Sequence, residues 1–121
     1  EAAVIVQPRQ IYKVLAFLKR DDALDFQVLN ALTAVDYIEY FEVIYHLVSL
    51  RRNTSCVIKV RLSGREQLAT PSVTDLWRGA ELQEREIWDL MGITFENHPN
   101  MKRILLWEGF PGHPLRKDFI R

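Results

Sequence analysis

The 121 residues contain one cysteine, Cys56. This excludes an intramolecular disulfide and any cysteine-rich zinc or iron–sulfur site built from this chain alone. Net charge is absent too, with 16 basic and 16 acidic side chains. No global field draws the chain to nucleic acid or anionic lipid, so neither is expected as a direct partner. No apolar run reaches the ~18 residues of a membrane span. The five glycines are scattered. None forms a GxGxxG or GxxxxGK[ST] phosphate loop. Ser49, Ser55, Ser63 and Ser72 lack the context of a nucleophile elbow.

What is present suits one domain with one core, since 48% of residues are hydrophobic. Charge is uneven along it. Residues 1–90 hold 11 basic and 13 acidic groups, whereas residues 91–121 hold 5 and 3. The sequence divides into a main body, 1–106, and an irregular C-terminal arm, 107–121.

Ala3 to Val6 reads as a short strand. Pro8 suits the first turn of a helix, and Ile11, Leu15 and Leu18 continue it at helical spacing. Asp25 is expected to cap a second short helix carrying Phe26, Leu29 and Leu32. "FEVIYHLVSL" (Phe41 to Leu50) and "CVIKVRL" (Cys56 to Leu62) read as an antiparallel hairpin turning at Arg51 to Thr54. The first of these strands has apolar residues in both alternating sets, so both its faces are expected to be at least partly covered. Ser72 or Thr74 is expected to cap a helix running to Met91, with Gly92 ending it. Gly79 falls where that helix would bend. Ile93 to Phe95 and Arg103 to Leu106 are short extended pieces.

On a helical wheel Trp77, Ala80, Ile87, Trp88, Leu90 and Met91 share one apolar arc. Glu84 falls near its centre. Arg85, Glu86 and Asp89 lie opposite, with Arg85 and Asp89 at i,i+4 spacing. A carboxylate at a buried position needs a partner. Two readings compete for Glu84. One is a proton carrier with a raised pKa. The other, preferred, is a structural carboxylate bound to an arginine, Arg103 or Arg116, or to backbone amides of the following loop. His98 and His113 each precede proline. With Glu96 or Asp118 they form an imaginable metal set, but the spacing of a ligand pair is missing. Anchoring backbone carbonyls or meeting a partner is the preferred role for both, and His46 reads as a mid-strand packing or partly exposed residue.

"WEGFPGHPLRKDFIR" (Trp107 to Arg121) mixes aromatic, basic and turn-forming residues without periodicity. Trp107, Phe110, His113, Arg116, Lys117, Asp118 and Phe119 are therefore candidate partner-docking residues.

"EREIWDLMGITFENHPNMKRIL" (Glu84 to Leu105) resembles the signature of the thirty-kilodalton subunit family of respiratory complex I, the C type of bacteria and J type of photosynthetic organisms. The matching positions are Glu84, Arg85, Glu86, Asp89, Leu90, Met91, His98, Lys102, Ile104 and Leu105, with Arg103 inside the same stretch. "GHPLRKDF" (Gly112 to Phe119) is similar to a second family segment. "LTAVDY", "FEVIYHLVSL" and "PSVTDLW" match upstream in order and spacing. Leu82 stands where an aromatic residue is frequent. The resemblance implies an α+β domain, with a mixed β-sheet and helices packed mainly on one side. It implies a non-catalytic peripheral-arm subunit of proton-translocating NADH:quinone oxidoreductase, touching the forty-nine-kilodalton subunit. It implies no cofactor in this chain, with FMN, iron–sulfur clusters and quinone on other subunits. The membrane would be met only through the complex, on the cytoplasmic side of a bacterial plasma membrane, or at a thylakoid or mitochondrial inner membrane. An equivalent subunit of a ferredoxin-, deazaflavin- or hydrogenase-linked complex is the alternative. A hydrolase using His98 or His113 is a distant one.

Overall fold

The computed structural model describes residues 3–64, 68–101 and 112–116. Strand β1 (Ala3–Val6) leads through a 3-10 turn at Pro8–Gln10 into helix α1 (Ile11–Arg20). Proline fits there because the first turn needs no N–H from it. Ile11 and Leu15 are fully buried, one turn apart on the inner face. Strands β2 (Val28–Asp36), β3 (Tyr40–Ser49) and β4 (Thr54–Ser63) follow as a meander. The four-stranded order is β1-β4-β3-β2, with β1 parallel to β4 and the other pairs antiparallel. A second, parallel pair joins β5 (Ala69–Pro71) to β6 (Thr94–Glu96). Helix α2 (Ala80–Met91) lies between them in sequence and packs along β2.

The core takes alternate residues of β3, namely Phe41, Val43, Tyr45 and Leu47. They face Leu62, Val60, Ile58 and Cys56 across the ladder. Ile11, Leu15 and Ala16 of α1 and Ala80, Ile87 and Met91 of α2 join the same cluster. Both helices thus lie on one side of a mixed sheet, as the resemblance implies. The other face keeps Ile44, His46 and Val48 half-buried. There Glu42 holds Arg61 at 3.0 Å and Lys59 at 3.6 Å.

Residues 25–32 do not form a second helix. Asp25 sits in a turn at φ 50°, and Val28–Asp36 is strand β2. A bulge between Leu29 and Ala31 is the reason for the misreading. It adds one residue, so Leu29 opposes Leu47 and Leu32 opposes Tyr45 on the same face. A spacing of three then imitates a helix within a strand. Helix α2 also starts later than its sequence suggests. Ser72 and Thr74 do not cap it. The chain winds through turns in which Leu76 and Trp77 N–H both donate to Val73 O, and Gly79 is the residue that precedes the helix. Trp77 stands before the helix, buried, with its indole N–H donating to Gln27 O at 3.0 Å. Gly92 ends the helix at φ 78° as expected.

Candidate functional site

Helix α2 carries the family-like signature, and its side chains divide into three tasks. Glu84 faces the interior and is completely buried. The sequence suggests Arg103 or Arg116 as its partner. Arg103 lies outside the described residues, and Arg116 points elsewhere. The carboxylate is instead held by neutral donors from the segment between β5 and α2. Ser72 Oγ–H donates to Oε1 at 2.7 Å, and Val73 N–H donates to Oε2 at 2.9 Å. Burial pushes the Glu84 carboxyl up to about 7, and the donors at Val73 and Ser72 offset only part of that. Losing the carboxylate would leave the buried Val73 amide unpaired, at a cost of about 1–3 kcal/mol, while the Ser72 hydroxyl would keep Thr74 as a partner.

His98 approaches Glu84 Oε1 to 3.9 Å from the loop after β6. Its hydrogen bonds fix its tautomer. Asn100 N–H donates to Nδ1 at 2.9 Å, so the ring proton sits on Nε2 and is donated to Glu81 O at 2.9 Å. Neither nitrogen offers a free lone pair to a metal. The set with His113 and Glu96 does not assemble, and Asp118 lies outside the described residues. No metal-binding group of three or more such side chains occurs among the described residues. His98 thus anchors a backbone carbonyl, one of the two roles its sequence context suggests. Near Glu84, the Tyr45 hydroxyl and Thr70 Oγ1 are buried without a hydrogen bond of ordinary geometry. Burial, and then the nearby charge of Glu84, raise the Tyr45 hydroxyl above its ordinary value.

The C-terminal end of α2 is the second task. A helix leaves its last four carbonyls without internal partners. Here Gly92 N–H caps Trp88 O at 2.8 Å. The other three are met from the segment 112–116. His113 Nδ1–H donates to Asp89 O at 2.8 Å, Leu115 N–H to Leu90 O at 2.9 Å, and Arg116 Nε–H to Met91 O at 2.7 Å. The Arg116 guanidinium also lies 5.1 Å from the centre of the Phe41 ring. A cation here suits the negative end of the helix dipole. His113, too, anchors a carbonyl, and its ring meets Trp88 edge-on at 5.9 Å. So two candidate docking residues are engaged inside their own domain. Trp107, Phe110, Lys117, Asp118 and Phe119 lie outside the described residues, as does Lys102.

The third task is surface. Glu86 is exposed and Arg85 half-buried, on the side the wheel gives them. Asp89 is not: it is completely buried. The wheel places it outside because it treats the back of a helix as solvent, whereas residues 112–116 cross this helix near its end. Beside Glu86 runs an apolar groove of about 170 Å³ between α2 and β2, lined by Ala34, Gln83, Ile87, Leu90, Met91 and Leu115. Gln83 Oε1 also accepts the Leu32 N–H at 2.7 Å, closing part of the free edge of β2.

Sequence reasoning alone misses Ser72, Val73, Gln83 and Tyr45 as parts of this arrangement. Ser72 and Thr74 are visible in it, but as helix caps. Gln83 carries no signal at all.

The sequence comparisons with known proteins agree on one family. The sequence profile described as respiratory-chain NADH dehydrogenase, 30 Kd subunit, matches residues 4–121. A C-type subunit of the NADH-quinone oxidoreductase of Rhizobium meliloti is 46% identical over 120 residues, which cover 97% of this chain and 65% of that protein. A mitochondrial protein of Candida albicans named NADH dehydrogenase [ubiquinone] iron-sulfur protein 3 is 43% identical, over 98% of this chain and 43% of its own length. The chain therefore spans less than two thirds of these relatives. A chain from the structure of the membrane-bound sulfane sulfur reductase, an archaeal respiratory membrane complex, superposes with a TM-score of 0.84. It shares 28% identity, over 99% of this chain and 73% of its own. A match over almost every residue leads to one conclusion: this chain belongs to the thirty-kilodalton subunit family of respiratory-chain NADH dehydrogenase.

Proposed function

We propose that the chain serves as a structural subunit in the peripheral arm of a proton-translocating NADH:quinone oxidoreductase, where it helps build the quinone-reducing module. One observation supports this above the others. Among the described residues, Glu84, His98, His113 and Arg116 are each bound to the chain's own backbone or to a neutral donor. Glu84 fastens the β5–α2 segment, His98 fastens Glu81, and His113 and Arg116 fasten the end of α2. Such residues shape a surface rather than perform chemistry. The flavin, clusters and quinone belong on neighbouring subunits, foremost the forty-nine-kilodalton one. A cluster does not fit here, because one cysteine cannot supply the thiolates it needs. No described helix is long and apolar enough to cross a membrane, which suits attachment through other subunits at the cytoplasmic face of a bacterial membrane.

The likeness to the archaeal sulfane sulfur reductase supports a second reading, in which the same domain serves a machine with another donor or acceptor. Affinity purification of the tagged chain from its own cells separates the two. The first reading expects NADH:quinone oxidoreductase subunits with flavin and iron in the eluate, none of it bound to the chain once subunits are parted. Stoichiometric flavin, metal or cluster on the separated chain would overturn the structural role. A partner set without an NADH-oxidising subunit would favour the second reading.

A further inference from the structure

Glu84 is buried, but it is two hydroxyls away from a solvent-facing recess. Ser72 Oγ lies 2.7 Å from Glu84 Oε1 and 3.1 Å from Thr74 Oγ1. Thr74 is half-buried. It lines a recess of about 370 Å³ together with Ser72, Tyr12, Asp75 and Asn97. The donors have a defined order while Glu84 is ionised. Ser72 gives its hydrogen to the carboxylate, and its oxygen accepts the Thr74 N–H at 3.2 Å. The remaining lone pair of Ser72 is then free to accept the Thr74 hydroxyl. The result is a directed hydrogen-bond chain, carboxylate to serine to threonine to recess.

We propose that Glu84 is a proton-exchanging carboxyl connected to solvent through Ser72 and Thr74, so that the fastening of α2 to the β5–α2 segment changes its charge state with pH.

The step balances. A hydronium in the recess gives a proton to Thr74 Oγ1. The Thr74 hydroxyl hydrogen passes to Ser72 Oγ, and the Ser72 hydroxyl hydrogen passes to Glu84 Oε1. Three O–H bonds form, three break, and no electron moves. Every hydrogen in the chain now points the other way, and each oxygen keeps its neighbours. Protonation therefore turns a carboxylate that accepts from Ser72 into an acid that donates to it, without expelling either group.

The surroundings allow both forms. Ser72 and Val73 face Glu84 from the β5–α2 segment, His98 from the loop after β6, and Tyr45 from β3. Among the described residues no lysine or arginine pairs with it. The His98 ring proton is spent on Glu81 O. No fixed cation locks the carboxylate in its charged form, and burial holds its pKa at about 7. Asp75 is exposed at the recess and supplies an anionic mouth for incoming protons.

The test is carbon-13 NMR of the glutamate side-chain carboxyls in the full chain, titrated from acid to alkaline pH. One signal is expected to move with a midpoint of about 7, and to be missing in Glu84→Gln. Ser72→Ala removes a donor to the charged form and is expected to raise that midpoint. This identifies the signal even where Glu84→Gln does not fold. Thr74→Val cuts the chain at its outer link. It is expected to replace the single moving signal with two in slow exchange, at nearly the parent midpoint. If every glutamate titrates in the ordinary carboxylate range, the proton site is wrong. If Thr74→Val exchanges as fast as the parent, the relay is wrong.

Discussion

Helix α2 is built differently at its two ends. At the N-terminal end no side chain caps it. Gly79 precedes it, and the first amides, Ala80 and Glu81, donate to Trp77 O and Arg78 O of the preceding turns. At the C-terminal end each of the last four carbonyls has its own donor, and three of these come from residues 112–116. The first end is a matter of local winding. The second fixes a distant part of the chain onto the helix. Where a sequence spends a glycine in the left-handed region, a histidine and an arginine on one turn of backbone, the geometry just beyond that turn is what is being held. Under the proposed role, in which the chain meets other subunits, this end is the one that sets the surface.

Substitutions at the two ends therefore differ in size and in sign. The largest effect is expected for Gly92→Ala. Its φ of 78° disfavours a side chain, and the added Cβ would lie 2.8 Å from the His113 ring. The ring must shift and release Asp89 O. The combined loss is about 3 kcal/mol, read as a fall in the urea midpoint of the chain at unchanged slope. A midpoint within error of the parent would mean that residues 112–116 are not held as described.

Arg116→Glu comes next. It removes a charged donor from Met91 O and the stacking on Phe41, and it puts an anion at the negative end of the helix. About 2 kcal/mol is expected. The charge-keeping Arg116→Lys should recover part of this, because it retains the cation but not the planar fork. Equal losses in both variants would point to geometry alone. At the other end Gly79→Ala should be neutral or raise stability by up to ~1 kcal/mol. Its φ of −61° suits alanine, and open space surrounds the new methyl. Differential scanning calorimetry of Gly79→Ala against the parent checks it, and a clear fall in Tm would show that this end also carries a hidden constraint.

How much of this is legible in the sequence depends on the range of the signal. The β3–β4 hairpin is plain, because two alternating runs flank a polar turn and both periods survive in the ladder. Gly92 is plain for the same local reason. Strand β2 is not, since a single bulge converts its period of two into a spacing of three. The start of α2 is lost because Ser72 and Thr74 have the chemistry of caps and are used for something else. For Glu84, the wheel finds the burial but not the partners. A buried glutamate invites a search for arginine, yet a serine and an amide 12 and 11 residues upstream satisfy it. Nothing in a sequence separates those options until the β5–α2 segment is folded back over the helix. Asp89 shows the same limit, since its burial follows from chain that arrives 24 residues later.

On the proposed reading the residues of the ERE segment are architecture. The most direct measurement uses the parent complex carrying Glu84→Gln in place of the native subunit. Two quantities are read side by side: the yield of assembled complex, and quinone reduction per assembled complex. Glutamine keeps the shape of the side chain and an oxygen for the Ser72 or Val73 donor. Any loss is expected to appear in yield, with turnover per assembled complex equal to that of the parent. Complete assembly with turnover lowered roughly tenfold or more, a barrier change of about 1.4 kcal/mol, would contradict it, and would make Glu84 part of the chemistry.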